Sequence, residues 1–418
     1  MRKILFCNLE LLVKEFEGYD PVLSRINRDK FLKYMSELIS EDENLVCFIN
    51  RNNQQLNLAK NHFDKLGYTN FIYKNRENIR PFVQNQKWIK NYFVFISGKE
   101  VDFHVAVNCK ALFIVPTWIP MENKSEYYGV HVDTPEQLAK FIRTLNNHNC
   151  FFETLCIESN VNLFALIDAR YKAYSKTEEE KSMLIHFEKL LKKGASRNYY
   201  YILMYHFLAG MTRTNLLDDI ELYGMIPSSD GTVNPYIYNF MTRTRLIKGK
   251  RLPKNKLYQA ENREQNLLIR HTRKQKAHMK YNFLQRATMG CDDEFATLCI
   301  NPEFKDKIER LRNENRFNVC IFDDYITFGN SFNAVRNRLN YLGANKIIFI
   351  SLGSFARKFK KNNYEITGDV FSKNYTGKFI SCESLSNAEF ISCESLSNAE
   401  YNVKAKAEVD ELYNIFNS

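Results

Sequence analysis

Two adjacent acids, Asp323 and Asp324, followed at short spacing by Thr327, Gly329 and Ser331, are the residues of this chain whose types and order could do chemistry. Neighbouring carboxylates accept hydrogen bonds, which suits the paired hydroxyls of a sugar ring. The run Thr327, Phe328, Gly329, Asn330, Ser331 stands at the start of a helical pattern, where unpaired amides and the helix dipole favour a phosphate. Gly329 permits close backbone approach, and the hydroxyls of Thr327 and Ser331 can donate to phosphate oxygens. A sugar phosphate fits this set better than a triphosphate. No G-x-x-x-x-G-K-[ST] run occurs, and the loop has no lysine for β and γ phosphates. The competing reading is that the two acids merely cap the helix that follows.

Positioning these residues requires a strand before them and a helix after them. Val319 to Phe322 are four consecutive apolar residues, and Phe332, Val335, Leu339 and Leu342 recur at roughly helical spacing up to Gly343. Lys346 to Leu352 reads as the next buried strand. The segment is therefore a βαβ unit whose charged loop lies at the carboxyl end of a strand, the place where parallel sheets bind ligands.

Upstream, residues 1 to 148 alternate strand and helix. Strands are expected at Lys3 to Cys7, Leu45 to Asn50, Tyr92 to Ser97 and Ala111 to Pro116. Helices are expected at Arg28 to Leu38, Leu56 to Leu66 and Thr134 to Leu145. Such alternation predicts an α/β domain with a mainly parallel sheet flanked by helices. Residues 149 to 194 read as a helical linker or the opening of a second domain, with helices over Phe164 to Tyr174 and Lys181 to Lys193. A second α/β domain of the same kind is expected over 195 to 418. It includes a buried helix at Asn198 to Leu208, a strand entering a polar turn over Glu221 to Asp230, and a final helix, Val403 to Phe416, packed on the sheet. Phe379 to Glu389 and Phe390 to Glu400 are the same eleven residues twice, FISCESLSNAE, which reads as a tandem duplication on the surface.

Of the 418 residues, 44% are hydrophobic and 14% aromatic, which describes a folded chain rather than a disordered one. The net charge of +11 is concentrated: Arg243 to Arg286 holds fourteen Lys or Arg against two acids, and the remainder of the chain is close to neutral. That segment reads either as a surface for pyrophosphate, nucleotide or nucleic acid, or as a solvated face. Ten cysteines are scattered without C-x-x-C pairs or metal-like spacing, as expected for thiols in a reducing cytoplasm. No stretch reads as a membrane span or a secretory signal.

The run Ile321-Phe-Asp-Asp-Tyr-Ile-Thr-Phe-Gly-Asn-Ser331 resembles the phosphoribosyl pyrophosphate motif of type I phosphoribosyltransferases, with Phe328 where Thr or Ser is usual. The resemblance implies that Asp323 and Asp324 hold the ribose hydroxyls and that Thr327 to Ser331 hold the 5′-phosphate. The order of a Pro-loop, a basic helix, L-x-R-x-T-x-x-Q, a distal Asn/Arg cluster and the D-D loop is similar to the ComF family of phosphoribosyltransferase-like proteins. Its matched positions are Arg270, Thr272, Gln275 and Arg286. The resemblance implies that Ser228 and Ser229, with Arg270, Arg273, Lys274 and Lys276, meet the pyrophosphate, and that Mg²⁺ is held through the substrate rather than directly.

Residues 1 to 148 resemble a haloacid dehalogenase-type domain with damaged motifs. Cys7 stands at the nucleophile position, Leu9 at the acid/base position, Asn50 where Thr or Ser is usual, and Gly98 at the first of two acids of which Asp102 is kept. This implies a retained fold without phosphatase chemistry, available as a surface for a protein partner. The whole then reads as a cytoplasmic phosphoribosyltransferase with a pseudoenzyme domain. The alternative is a non-catalytic nucleotide-sensing or nucleic-acid-associated effector, since the domain pairing also resembles proteins of bacterial antiphage systems, including those encoded beside retron reverse transcriptases.

Overall fold

Leu5, Phe6, Val46, Phe48, Val94 and Phe95 are all fully buried, on both faces of their strands, which is the signature of a parallel sheet covered on both sides. The computed structural model describes residues 2–13, 18, 20–86, 92–146, 151–169, 185, 198–213, 216–248, 266–275, 291–355, 359–385 and 403–417. Strands β1 (Lys3–Asn8), β2 (Leu45–Asn50), β3 (Ile72–Asn75), β4 (Tyr92–Ile96), β5 (Leu112–Pro116) and β6 (Val130–Val132) form one six-stranded sheet. Its order is β3-β2-β1-β4-β5-β6 with every pair parallel. The connecting helices are α1 (Glu10–Val13), α2 (Pro21–Ser40), α3 (Asn53–Lys65), α4 (Ile79–Gln86), α5 (Glu100–Cys109), α6 (Asn123–Tyr128) and α7 (Pro135–Asn146). Side-chain caps set where two of them begin: Asp20 accepts from the amides of Val22 and Leu23, and Asn52 from those of Gln54 and Gln55.

The second sheet runs β7-β8-β13-β12-β9, built from β7 (Glu153–Glu158), β8 (Val161–Asp168), β9 (Leu222–Met225), β12 (Asn318–Ile326) and β13 (Lys346–Ser354). All of its pairs are parallel except β7 with β8. Two antiparallel ribbons accompany it, β10 (Leu268–Arg270) with β11 (Leu298–Ile300), and β14 (Phe359–Gly368) with β15 (Tyr375–Leu385). The helices of this half are α8 (Asn198–Arg213), α9 (Pro235–Ile247), α10 (Asp292–Phe295), α11 (Lys305–Asn313), α12 (Asn330–Tyr341) and α13 (Val403–Asn417).

Two expectations are corrected. The helix expected from Phe164 is instead strand to Asp168: β7 and β8 form a hairpin that belongs to the second sheet. Its continuous apolar run, Leu163 to Ile167, is buried on both faces, and periodicity cannot separate such a strand from a buried helix. For the final helix, expected on the second sheet, the principal contacts are with helices instead. It lies against α7 and α8, where Phe416 meets Phe141 and Tyr205 and Glu408 pairs with His206 at 3.0 Å. The expected helix Lys181 to Lys193, apart from Ile185, and the second copy of the repeat, Phe390 to Glu400, lie outside the described residues. The first copy supplies Phe379 to Leu385 of β15.

Helix α8 joins the two halves. Phe207 touches Phe151, Phe240 and, on β12, Phe322, while the hydroxyl of Tyr92 on β4 donates to the Ala209 carbonyl at 3.2 Å. One apolar cluster therefore runs from Leu5 and Val46 through Phe207 to Phe322 and Ile350.

Candidate functional site

β12 lies between β13 and β9, and its apolar run Val319 to Phe322 carries the chain through the core to Asp323 at the carboxyl edge. There Asp323 faces Ser351 across the ladder. The amide of Asp324 donates to the Asp323 carboxylate at 2.9 Å, and that of Tyr325 to the Asp324 carboxylate at 2.6 Å. Both acids are partly buried. Burial, then the charge of Asp324 and of Glu294, pushes the Asp323 carboxyl well above the usual carboxylate range. A cation or hydroxyl donors arriving beside it would favour its ionised form.

The loop then turns through Gly329, at φ 80°, into α12. This backbone conformation disfavours side chains, and an added Cβ would also lie 2.2 Å from the Phe359 ring. Phe328, the departure from the family motif, is 4% exposed, so it is an apolar packing residue here. β14 straps the loop. The Lys360 amide donates to the Phe328 carbonyl at 3.2 Å, and the Asn333 side chain donates to the carbonyls of Gly329 and Lys360. Thr327, Asn330 and Ser331 are partly buried at the helix entrance, with Asn362 donating to the Asn330 side chain at 3.5 Å.

Two of the four cations chosen from sequence, Arg270 and Lys274, converge on this loop, through a residue that sequence reasoning missed. Glu294, on α10, is 2% exposed. Its Oε1 accepts from Lys274 Nζ at 2.6 Å and from Ser331 Oγ at 2.7 Å, and its Oε2 accepts from Arg270 Nη2 at 2.9 Å. Burial by itself would raise this carboxyl, but Arg270, Lys274 and Ser331 outweigh burial and hold it at about 2. Arg270 also donates to Thr297 Oγ1 and to the carbonyls of Ser228 and Pro227, and the Lys274 amide donates to the Ser229 carbonyl at 2.7 Å. Ser228 and Ser229 are thus tied through their carbonyls to Arg270 and Lys274. Arg273 and Thr272 are exposed nearby, as is Gln275, while Lys276 and Arg286 lie outside the described residues. The one sequence signal for Glu294 is the acidic run Asp292-Asp293-Glu294 after the basic segment.

Much of the described basic segment faces inward. Arg243 donates to the Gly129 carbonyl and to Asn239 and lies over the Tyr127 ring; Lys248 donates to Asp218 and to the Met211 carbonyl. Both are buried. They fasten α9 to the first half and to α8 rather than offering charge to a polyanion.

At the carboxyl edge of the first sheet, Cys7 and Leu9 are fully buried, and burial followed by Cys47 pushes the Cys7 thiol well up. The polar cluster there is centred on Asp102, 0% exposed, which accepts from Asn8 Nδ2 at 2.5 Å, Ser97 Oγ at 2.6 Å and Arg76 Nε at 2.5 Å. Arg76, also missed from sequence, supplies the charge that balances Asp102. A side chain at Gly98 would meet the Pro120 carbonyl oxygen at 2.2 Å, so the first acid of the family motif has no room here. Asn50 donates to Gln55 at 3.0 Å. Among the described residues, the positions Cys7, Leu9 and Gly98 offer neither an accessible nucleophile nor the carboxylates of the motif they resemble.

Among the described residues no group of three or more His, Cys, Asp or Glu is arranged to hold a metal, and no helix is long and apolar enough to cross a membrane. Comparisons with protein-family models, with curated proteins and with solved structures found no match to this chain.

Proposed function

We propose that the carboxyl edge of the second sheet binds phosphoribosyl pyrophosphate and transfers or releases its ribosyl phosphate, as in a type I phosphoribosyltransferase. On this reading the first sheet is a haloacid dehalogenase-like domain that has lost its chemistry. The observation that carries it is the sequence of structures at β12: a buried strand, two partly buried carboxylates, a turn at Gly329, and an α-helix whose first residues include a hydroxyl. In that reading Asp323 and Asp324 accept the ribose hydroxyls and the start of α12 receives the 5′-phosphate.

The transfer breaks the bond from C1′ to the diphosphate oxygen and forms one from C1′ to a nitrogen of the acceptor, whose proton is lost to solvent. The chain contributes position and charge: the two carboxylates oppose the positive charge that develops on the ribosyl carbon, and Arg273, exposed nearby, serves the departing diphosphate. Mg²⁺ fits as an ion carried by the substrate's phosphates, because Asp323 is a carboxyl that a nearby cation would ionise. It would supply neutralisation of the leaving group. The eight described cysteines are all free thiols, which suits a reducing cytoplasm.

A second reading, ligand sensing without turnover, is favoured by Glu294, which already engages Ser331 and Lys274. Calorimetric titration with phosphoribosyl pyrophosphate and Mg²⁺, beside an Asp323→Asn/Asp324→Asn variant, tests the site. Binding by the wild type that is lost in the folded variant is expected, and equal binding by both refutes the assignment. Pyrophosphate release then separates transfer from sensing.

A further inference from the structure

We propose that Glu294 is an internal stand-in for the ligand's phosphate, displaced when a phosphate binds, and that the donors it releases favour a dianionic phosphomonoester. This deepens the reading above and rests on it. The donors a phosphate would use at the entrance of α12 are engaged by one carboxylate oxygen: Oε1 takes both the Ser331 hydroxyl and the Lys274 ammonium. The other oxygen is held from behind by Arg270, itself buried, and the Glu294 main-chain carbonyl accepts from Arg338 Nη2 at 2.7 Å. The residue is therefore anchored at its backbone and at Oε2. What can yield is the pair of contacts at Oε1, with Ser331 and with Lys274.

Charge then decides which ligands can displace it. A monoanion replaces a carboxylate oxygen of equal charge at the same two donors and gains little. A dianion brings more charge to those donors and to the amides at the helix N-terminus, so it gains where the monoanion does not. Glu294 stays ionised throughout the physiological range, so the selection persists there. It favours a terminal phosphate, such as a sugar 5-phosphate, over a phosphodiester.

The experiment compares ribose 5-phosphate with its methyl phosphodiester by calorimetry on the full chain. The wild type should prefer the monoester by about ten-fold or more. Glu294→Gln should bind both ligands about ten-fold tighter, the size of one charge-assisted hydrogen bond no longer displaced, and should keep the preference, because the displacement is common to both ligands. A wild type without that preference, or a folded Glu294→Gln that binds no tighter, overturns the proposal. Because this variant leaves buried Arg270 without its counter-charge, Ser331→Ala gives an independent reading. Its hydroxyl serves Glu294 before binding and phosphate afterwards, so its loss should change affinity by less than about three-fold; a drop of about ten-fold, one full hydrogen bond to a charged group, overturns the proposal. If phosphoribosyl pyrophosphate binds through Asp323 and Asp324 while these variants fail, only the role of Glu294 falls. If the wild type binds neither phosphoribosyl pyrophosphate nor ribose 5-phosphate, the site and this inference fall together.

Discussion

Gly329→Ala is the substitution whose cost the structure defines most sharply. At φ 80° an L-residue is placed in the left-handed region, at a cost of roughly 1–2 kcal/mol. The new methyl would also stand 2.2, 2.5 and 2.8 Å from three atoms of the Phe359 ring. Phe359 is buried in the cluster that contains Phe332 and Phe349, so the ring cannot step aside freely, and overpacking adds roughly 1–3 kcal/mol. The expected total is about 2–5 kcal/mol, read by urea unfolding. The two contributions separate in a Phe359→Ala background, where the ring is gone and the conformational part of about 1–2 kcal/mol remains. A single-substitution cost below about 0.5 kcal/mol would refute the strained turn, being no more than an ordinary surface change. The same cost in both backgrounds would refute the role of Phe359 as its lid.

Asp323→Asn should stabilise the folded protein at neutral pH. The folded-state carboxyl is raised above its unfolded value of 3.8, so its favourable protonated contribution is complete below that value and is lost as pH rises through the folded value. Thermal melts at pH 7 and near pH 4 should show the variant's advantage at pH 7 shrinking in acid; an advantage independent of pH contradicts the assignment. Arg76→Met should cost about 3–5 kcal/mol in urea unfolding, because Asp102 is then a buried carboxylate without its cation. Adding Asp102→Asn should recover much of that loss, and a purely additive double variant would argue against the pairing.

The elements nearest the site were readable because their patterns are local. Val319 to Phe322 is a short apolar run ended by two acids, Gly329 marked the turn, and Phe332, Val335 and Leu339 marked the inner face of a helix that the structure bounds at Asn330–Tyr341. The parallel sheet of the first half was readable for the same reason. β8 was not, since an apolar run buried on both faces carries no period, nor was the return of α13 to α7, which depends on contacts such as Gln137 with the Ile415 carbonyl, 278 residues apart.

Strand, turn and helix in that order at the candidate site, and the total charge of the basic segment, follow from the sequence because both are sums over neighbouring residues, although β12 runs on through both acids to Ile326. Only the tertiary structure decided what each charge does. It turned Arg243 and Lys248 inward, set Arg76 on Asp102 across 26 positions, and brought Lys274 and Ser331 to Glu294 across 20 and 37. The physical reason is that a buried charge must find its partner in space, and which residue stands within hydrogen-bonding distance is settled by how sheets and helices pack, not by spacing along the chain.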